Sequence, residues 1–233
     1  MEAIILAGGK AERLGEAAKG GPKALVEIAG RPLAAYQVDQ LAAAGVERVL
    51  VSCAAGQEEL FDAALGGIGP EIVAVGEPEP MGRGGGIRFA AAQRRETGDV
   101  YALNGDELVD VDLARLLELH RSSGAAATIT VVQVRSPFGV VELEDNVVTG
   151  FREAPLLEHW VSCGIYVLGD EALERFPERG DHETSTFPEL AEERRLHAHR
   201  HEGVWLTVNT PKDLRVAEEY MAAHPAWTTK GNL

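Results

Sequence analysis

Cysteine is almost missing from this chain: Cys53 and Cys163 are its whole complement, too few for a disulfide framework or a thiolate metal cluster. Both are expected to be buried thiols in a reducing compartment. No continuous apolar run approaches a membrane span, and the opening MEAIILAGG lacks the basic flank and long apolar segment of an export signal. A cytoplasmic location and no membrane partner are the expectations. Positive charge is scarce as well. The 22 Lys and Arg against 37 Asp and Glu leave a formal charge of -15, which works against broad attraction to nucleic acid but still allows a local basic pocket for a phosphate ester. There is no repeat, low-complexity run or long linker. What remains is a 233-residue chain, 45% hydrophobic and 25% charged, with the composition of one large globular domain or a domain carrying a small insertion.

Apolar periodicity divides the chain into alternating strands and helices. EAIILA at 2–7 is a short buried strand of the parallel-sheet kind, ended by Gly8 and Gly9. After a long loop, RPLAAYQVDQLAAAGV spaces Leu33, Tyr36, Val38, Leu41 and Ala44 at helical intervals, with Pro32 suited to the first helical position and Gly45 to the exit. VERVLVSC at 46–53 is the next strand, so strand, helix and strand form a right-handed crossover. QEELFDAAL, GIRFAAAQRRE and VDLARLLELHRS continue as helices, and EIVAV and VYALNGD as strands, which predicts an α/β fold with an open sheet covered by helices. From about residue 125, ATITVVQV, FGVVELE, NVVTGFRE and WVSCGIYVL are rich in β-branched residues and predict more sheet with a partly antiparallel excursion. VNTPKDLRVAEEYMAA reads as a turn and an amphipathic helix started at Pro211, with Leu214, Ala217 and Tyr220 facing inward.

Two segments carry chemistry. In LAGGKAERLGEAAKGGPKALVEIAG, residues 6–30, Gly8 and Gly9 lie just past a strand, where missing side chains let an anion approach the backbone N–H groups. The segment is neither a dinucleotide fingerprint nor a P-loop. Arg13 adds a rigid fork for phosphate oxygens and Lys23 a mobile ammonium, while Lys10 and Lys19 contribute to the local field or stand in solvent. The second segment is LNGDE, 103–107, where Asp106 at the carboxyl end of a strand is placed to hold magnesium through oxygen. Glu107 and Asp110 are supporting or surface carboxylates, and Asp112 is an N-cap before LARLLE.

The order of these motifs resembles the nucleoside diphosphate sugar pyrophosphorylase family, the sugar-1-phosphate nucleotidyltransferases. Leu6–Gly9, Arg13-Leu14 and Pro22-Lys23 match its opening, followed by EPEPMGRGGGIRFA at 77–90, LNGDE, FGVVELEDNVVTGFREAP at 138–155, VSCGIYVL at 161–168 and WLTVNTPKDL at 205–214. The resemblance implies a Rossmann-like nucleotidyltransferase fold with a central, mostly parallel mixed sheet and a small β-rich sugar-binding excursion. It implies one catalytic domain over 1–225, nucleotide-binding mainly in 1–110 and sugar-binding mainly in 111–210, with a tail at 226–233. The implied reaction is attack of a sugar-1-phosphate oxygen on the α-phosphorus of a nucleoside triphosphate, giving a nucleotide sugar and pyrophosphate. Arg13, Lys23 and Asp106 are the implied catalytic residues, and Leu6, Ala7, Gly8, Gly9, Gly82, Asn104 and Gly105 lie against the nucleotide, with Gln57 and Glu77 as further contacts. Gly139, Glu153 and Gly164 face the sugar. Magnesium is the implied cofactor, on Asp106 and Asn209; homodimerisation is the expectation from common oligomer symmetry.

Three positions depart from the family pattern. Ala154 stands where many relatives have a lysine, and Arg152, two positions earlier, is its proposed substitute. Thr207 occupies the place of a frequent aspartate, so Asn209, two positions on, is taken as the second ligand. Arg83 stands where relatives often have a small hydroxyl residue and either alters nucleotide recognition or makes a surface salt bridge. LHAHRH puts His197, His199 and His201 on one face of a strand, read as a solvated edge or subunit contact rather than a metal site. Trp160 and Trp205 are packing residues with a ligand-facing edge at most, and Trp227 falls in a terminal stretch expected to be disordered or to meet a partner. The alternatives are cytidylyl or guanylyl transfer to another phosphorylated alcohol or acidic sugar, and a catalytically weak nucleotide-sugar-binding regulator.

Overall fold

In the computed structural model, which describes residues 1–9, 11, 13–15, 20–224 and 227, short apolar runs become strands and amphipathic runs become covering helices. In chain order these are β1 (Glu2–Leu6), β2 (Glu27–Ile28), β3 (Arg31–Pro32), α1 (Leu33–Ala43), β4 (Arg48–Ala54), α2 (Glu58–Leu65), β5 (Glu71–Glu77), α3 (Gly82–Ala91), β6 (Val100–Asn104), β7 (Glu107–Val109) and α4 (Leu113–Ser123). They are followed by β8 (Ala127–Arg135), β9 (Val140–Glu144), β10 (Val147–Arg152), β11 (Leu156–Leu168), α5 (Asp170–Arg175), α6 (Thr186–Glu192), β12 (Leu196–Arg200), β13 (Trp205–Thr207) and α7 (Pro211–Ala223). Lys10, Lys19 and, apart from Trp227, the tail at 226–233 lie outside the described residues.

Seven strands form one sheet in the order β12-β8-β11-β6-β1-β4-β5, parallel except for β11, which runs antiparallel to both neighbours. Alternation along each strand feeds two cores. Ala3 and Ile5 face Val38 and Leu41 of α1, Phe61 of α2 and Leu116 of α4. Ile4 faces the other layer, with Ile87 of α3, Leu173 of α5 and Leu190 of α6. A third cluster joins Leu14, Ile28, Leu108, Val208, Leu214 and Trp227, and so ties the opening loop to β7 and α7. Trp227 is 5% exposed there and edge-on to Tyr220. The expectation of a disordered or partner-facing tryptophan is therefore wrong: the apolar side of α7 needed a cover.

Two further differences have physical causes. The GRGGG run at 82–86 is helical, whereas periodicity alone starts that helix at Gly86. Glycine costs a helix about 1 kcal/mol per residue, but the chain at 177–182 packs against these positions so closely that a Cβ on Gly84 would stand 2.8 Å from the His182 nitrogen. The N–H groups of Gly84 and Gly85 donate to the Gly180 carbonyl at 2.9 and 3.3 Å, satisfying donors that a helix start leaves open. Pro32 is the N-cap of α1 rather than its first residue. Asp112 does cap α4, accepting from the Arg115 N–H at 2.9 Å.

Candidate active site

The order in which strands are added to the sheet reverses at β1, whose neighbours are β4 on one side and β6 on the other. A crevice opens at the carboxyl ends of strands at such a switch point. Leu6–Gly9 leave β1 there, and Asn104–Glu107 leave β6. The Gly105 N–H donates to the Leu6 carbonyl at 2.9 Å, and a Cβ at 105 would lie 2.7 Å from that oxygen, so the two strand ends meet only through glycine. Two adjoining cavities occupy the crevice. One, of about 550 Å³, is lined by Gly8, Gly9, Gly20, Gly21, Gln57 and Glu77 among others. The other, of about 440 Å³, is lined by Leu6, Ala7, Lys23, Gly82, Arg83, Asn104, Gly105, Asp106, Glu107 and Asn209 among others.

Lys23 begins a single 3-10 turn, Lys23–Leu25, and is only 9% exposed. Its ammonium donates to Asp106 Oδ2 at 2.6 Å and to Asn209 Oδ1 at 2.5 Å, joining three segments far apart in sequence. Asn209 owes its place to the start of α7, where Thr210 and Asp213 form a capping box with Pro211 inside it. The Asn209 N–H donates to Asp213 at 3.2 Å, and the Val208 N–H to the Asp106 carbonyl at 3.1 Å. Thr207 instead lies in β13, paired with Glu107 of β7. Among the described residues no group of three or more His, Cys, Asp or Glu is arranged to hold a metal. The oxygens gathered on Lys23 are one carboxylate and one amide.

Glu107 accepts from the Trp205 indole N–H at 2.5 Å. Burial, reinforced by the neighbouring Asp106 carboxylate, pushes its pKa up to about 8, so it keeps its proton through neutral pH. Trp205 thus spends its polar edge on Glu107. Asp110 accepts from the His201 ring at 2.8 Å and from the Val204 N–H at 2.6 Å; His201 is a clamp on the β12–β13 turn, not a solvated edge. Cys53 and Cys163 are buried and free, each with a thiol pushed up to about 12 by burial.

Other site candidates fall elsewhere. Arg13 is exposed on a turn at 13–15 whose flanks, Ala11 and Gly15, line the first cavity; the adjacent Leu14 is buried in the third core and anchors the turn. Gly139 and Glu153 come together at the foot of the β9–β10 hairpin, where a Cβ on Gly139 would run into the Phe151 ring and lie 3.1 Å from Glu153 Oε2. Neither is among the residues lining the two cavities. Gly164, at φ +73°, abuts Asn104: a Cβ there would stand 2.5 Å from its amide nitrogen. Arg152 is 60% exposed on the hairpin and pairs with Glu142 at 3.3 Å.

Two features had little local signal. Glu77 is a 7% exposed carboxylate lining both cavities, accepting from the Ser52 hydroxyl at 2.7 Å and the Met81 N–H at 3.1 Å. Arg83 is held by Asp181 and Glu183, about a hundred residues downstream.

A nucleotidyl transferase family model matches residues 2–224. A mannose-1-phosphate guanylyltransferase of Mycobacterium tuberculosis is 33% identical over 227 residues, covering 91% of this chain and 62% of the relative. The mannose-1-phosphate guanylyltransferase catalytic subunit beta of Drosophila pseudoobscura pseudoobscura is 30% identical over 221 residues, covering 91% and 60%. The chain thus spans about three fifths of the length of these curated relatives. In structure it resembles HddC from Yersinia pseudotuberculosis complexed with GMP-PN, with a TM-score of 0.72 at 22% identity, covering 94% of this chain and 99% of that one. An open, mostly parallel sheet, a glycine loop and an Asp at its switch point, and a family match running from the first strand to the last helix all agree: the chain belongs to the nucleotidyl transferase family.

Proposed function

We propose that this protein transfers a nucleoside monophosphate from a nucleoside triphosphate to a sugar 1-phosphate, releasing pyrophosphate. The observation that carries this reading is the Lys23–Asp106–Asn209 cluster at the switch-point crevice. Magnesium favours oxygen donors and is commonly held by one or two carboxylates, with substrate phosphates and water completing the shell. Asp106 and Asn209 fit that role, and a cationic group, the Lys23 ammonium, already lies between their oxygens. Bound there, magnesium supplies charge compensation at the α-phosphate.

The rest of the reaction falls to this chain's own residues. Gly8 and Gly9 let the triphosphate lie against the backbone, and the flexible Lys23 side chain passes its ammonium to the phosphate oxygens as charge builds during transfer. Arg13, on the exposed turn beside the first cavity, meets the outgoing pyrophosphate. The acceptor phosphate is already ionised near neutral pH. Its oxygen forms the new bond to the α-phosphorus while the bond to pyrophosphate breaks, so no protein nucleophile or base is required; orientation and charge dominate. Gly164 lets Asn104 of the second cavity pack close against β11, and Glu153 and Gly139 would meet the sugar from the hairpin.

Glu77 favours guanine as the base. A fixed carboxylate accepts two parallel N–H bonds from the guanine edge, whereas uracil and thymine offer one N–H flanked by carbonyls that repel it. Similarity to mannose-1-phosphate guanylyltransferases makes GTP and mannose 1-phosphate the first pair to assay. A matrix of nucleoside triphosphates and sugar 1-phosphates with magnesium, read by pyrophosphate release and nucleotide-sugar formation, tests the reading. Turnover in at least one combination is expected. Saturable nucleotide-sugar binding without pyrophosphate release in any combination would make the chain a binding regulator.

A further inference from the structure

The substrates of this reaction bring two separate anions into one crevice. Among the described residues lining the two cavities, the positive side chains are Lys23 and Arg83, and the transfer reading assigns Lys23, beside Asp106 and Asn209, to the triphosphate. At the start of α3 the Gly84 and Gly85 N–H groups are spent on the Gly180 carbonyl, which leaves fewer donors there for an anion. We propose that Arg83 binds the phosphate of the acceptor sugar 1-phosphate; the inference rests on the transfer reading above.

Position assigns Arg83 to the acceptor rather than the triphosphate. Gly20 and Gly21 of the glycine loop line only the first cavity, Gly8 and Gly9 line both, and Arg83 lines only the second. Its partner Glu183 also accepts from the Tyr166 hydroxyl at 3.1 Å, which places the guanidinium on the β11 side, the strand that brings Gly164 against Asn104. Arg83 Nε donates to Asp181 Oδ2 at 2.8 Å, Nη2 bonds the same oxygen, and Nη1 lies 2.7 Å from Glu183 Oε2. A guanidinium has five N–H donors. Three contacts fix its plane and two donors remain for a phosphate, with the side chain 44% exposed. The two carboxylates outweigh its single charge at a distance, so its contribution is short-range and directional rather than steering. Arg152 is paired on the hairpin, and Arg135 bonds the Ala154 carbonyl in a separate groove with Trp160 and His201.

The test compares wild type with R83M, R83K, R135M and R152M. Binding of mannose 1-phosphate is measured by calorimetry, inorganic phosphate is used as a competitor, and KM is measured for acceptor and for GTP. R83M should weaken mannose 1-phosphate and inorganic phosphate about 10- to 100-fold, the loss expected for charge-assisted hydrogen bonds, and leave KM for GTP within about twofold. R83K should fall between, and R135M and R152M should match wild type. Equal weakening of both substrates, no weakening in R83M, or an effect carried by R135M or R152M would overturn the assignment. If R83M does not fold, the R83K split between acceptor and GTP decides in the same way. Calorimetry separates this claim from the transfer reading: a wild type inert throughout the matrix that still binds mannose 1-phosphate through Arg83 keeps the site and loses the reaction.

Discussion

Replacing His182 with phenylalanine should remove a pH dependence of stability whose size follows from the structure. The ring is fully buried, stacked on Phe176 at 4.7 Å and edge-on to Phe187 at 4.6 Å, and neither of its nitrogens has a hydrogen-bond partner. Burial opposes the imidazolium, with Asp181 pulling the other way, and holds the pKa down to about 4 against an ordinary 6.5. Between those values the unfolded chain binds a proton that the native chain refuses. The folded state therefore loses stability as pH falls from about 6.5 to about 4 and keeps it above. At about 1.4 kcal/mol per unit the ceiling is roughly 3 kcal/mol, of which about 2 should be lost by about pH 4.5. Phenylalanine can keep the stack and has nothing to protonate. Urea unfolding of wild type and H182F near neutral pH and near pH 4.5 measures the difference, and other titrating groups cancel between the two proteins. The gap should shift in favour of H182F by about 2 kcal/mol on acidification. An unchanged gap would mean that His182 titrates freely and that the chain at 177–183 is not closed over α3.

In the crevice, Asp106→Asn should lower turnover by about a thousandfold or more with an unchanged melting curve, and Lys23→Met by about 10²- to 10³-fold, read as pyrophosphate release. A variant of either kind within about threefold of wild type would remove that residue from the reaction. Gly84→Ala gains helix propensity of about 1 kcal/mol but drives a Cβ to 2.8 Å from the His182 nitrogen and 3.0 Å from the Pro177 ring. A net destabilisation of about 1–2 kcal/mol is expected, and a raised melting temperature would refute the close packing.

Much of the layered fold is legible in local pattern. The runs that become β1, β4, β5 and β6 are short and apolar, and Asp112 and Pro211 mark helix starts by chemistry that acts within one turn. What escapes the pattern depends on distant chain. GRGGG is a poor helix until residues 177–182 lie over it, and α5 and α6, too short for a clear period, are held by the core that includes Phe176 and Phe187. In the site, Lys23, Asp106 and Asn209 each stand out as a residue type next to a turn, but their meeting within 2.6 Å is a property of the sheet order. Arg83 with Asp181, and Trp205 with Glu107, are both 98 residues apart. No spacing rule reaches that far.

The proposed nucleotidyl transfer takes place between Lys23, Asp106 and Asn209. A crystal structure of the protein with a non-hydrolysable GTP analogue and manganese, located by its anomalous signal, tests it most directly. Manganese should lie between the Asp106 and Asn209 oxygens, with the Lys23 ammonium moved onto a phosphate. A triphosphate seated outside the crevice, with Lys23 still bridging Asp106 and Asn209, would contradict it.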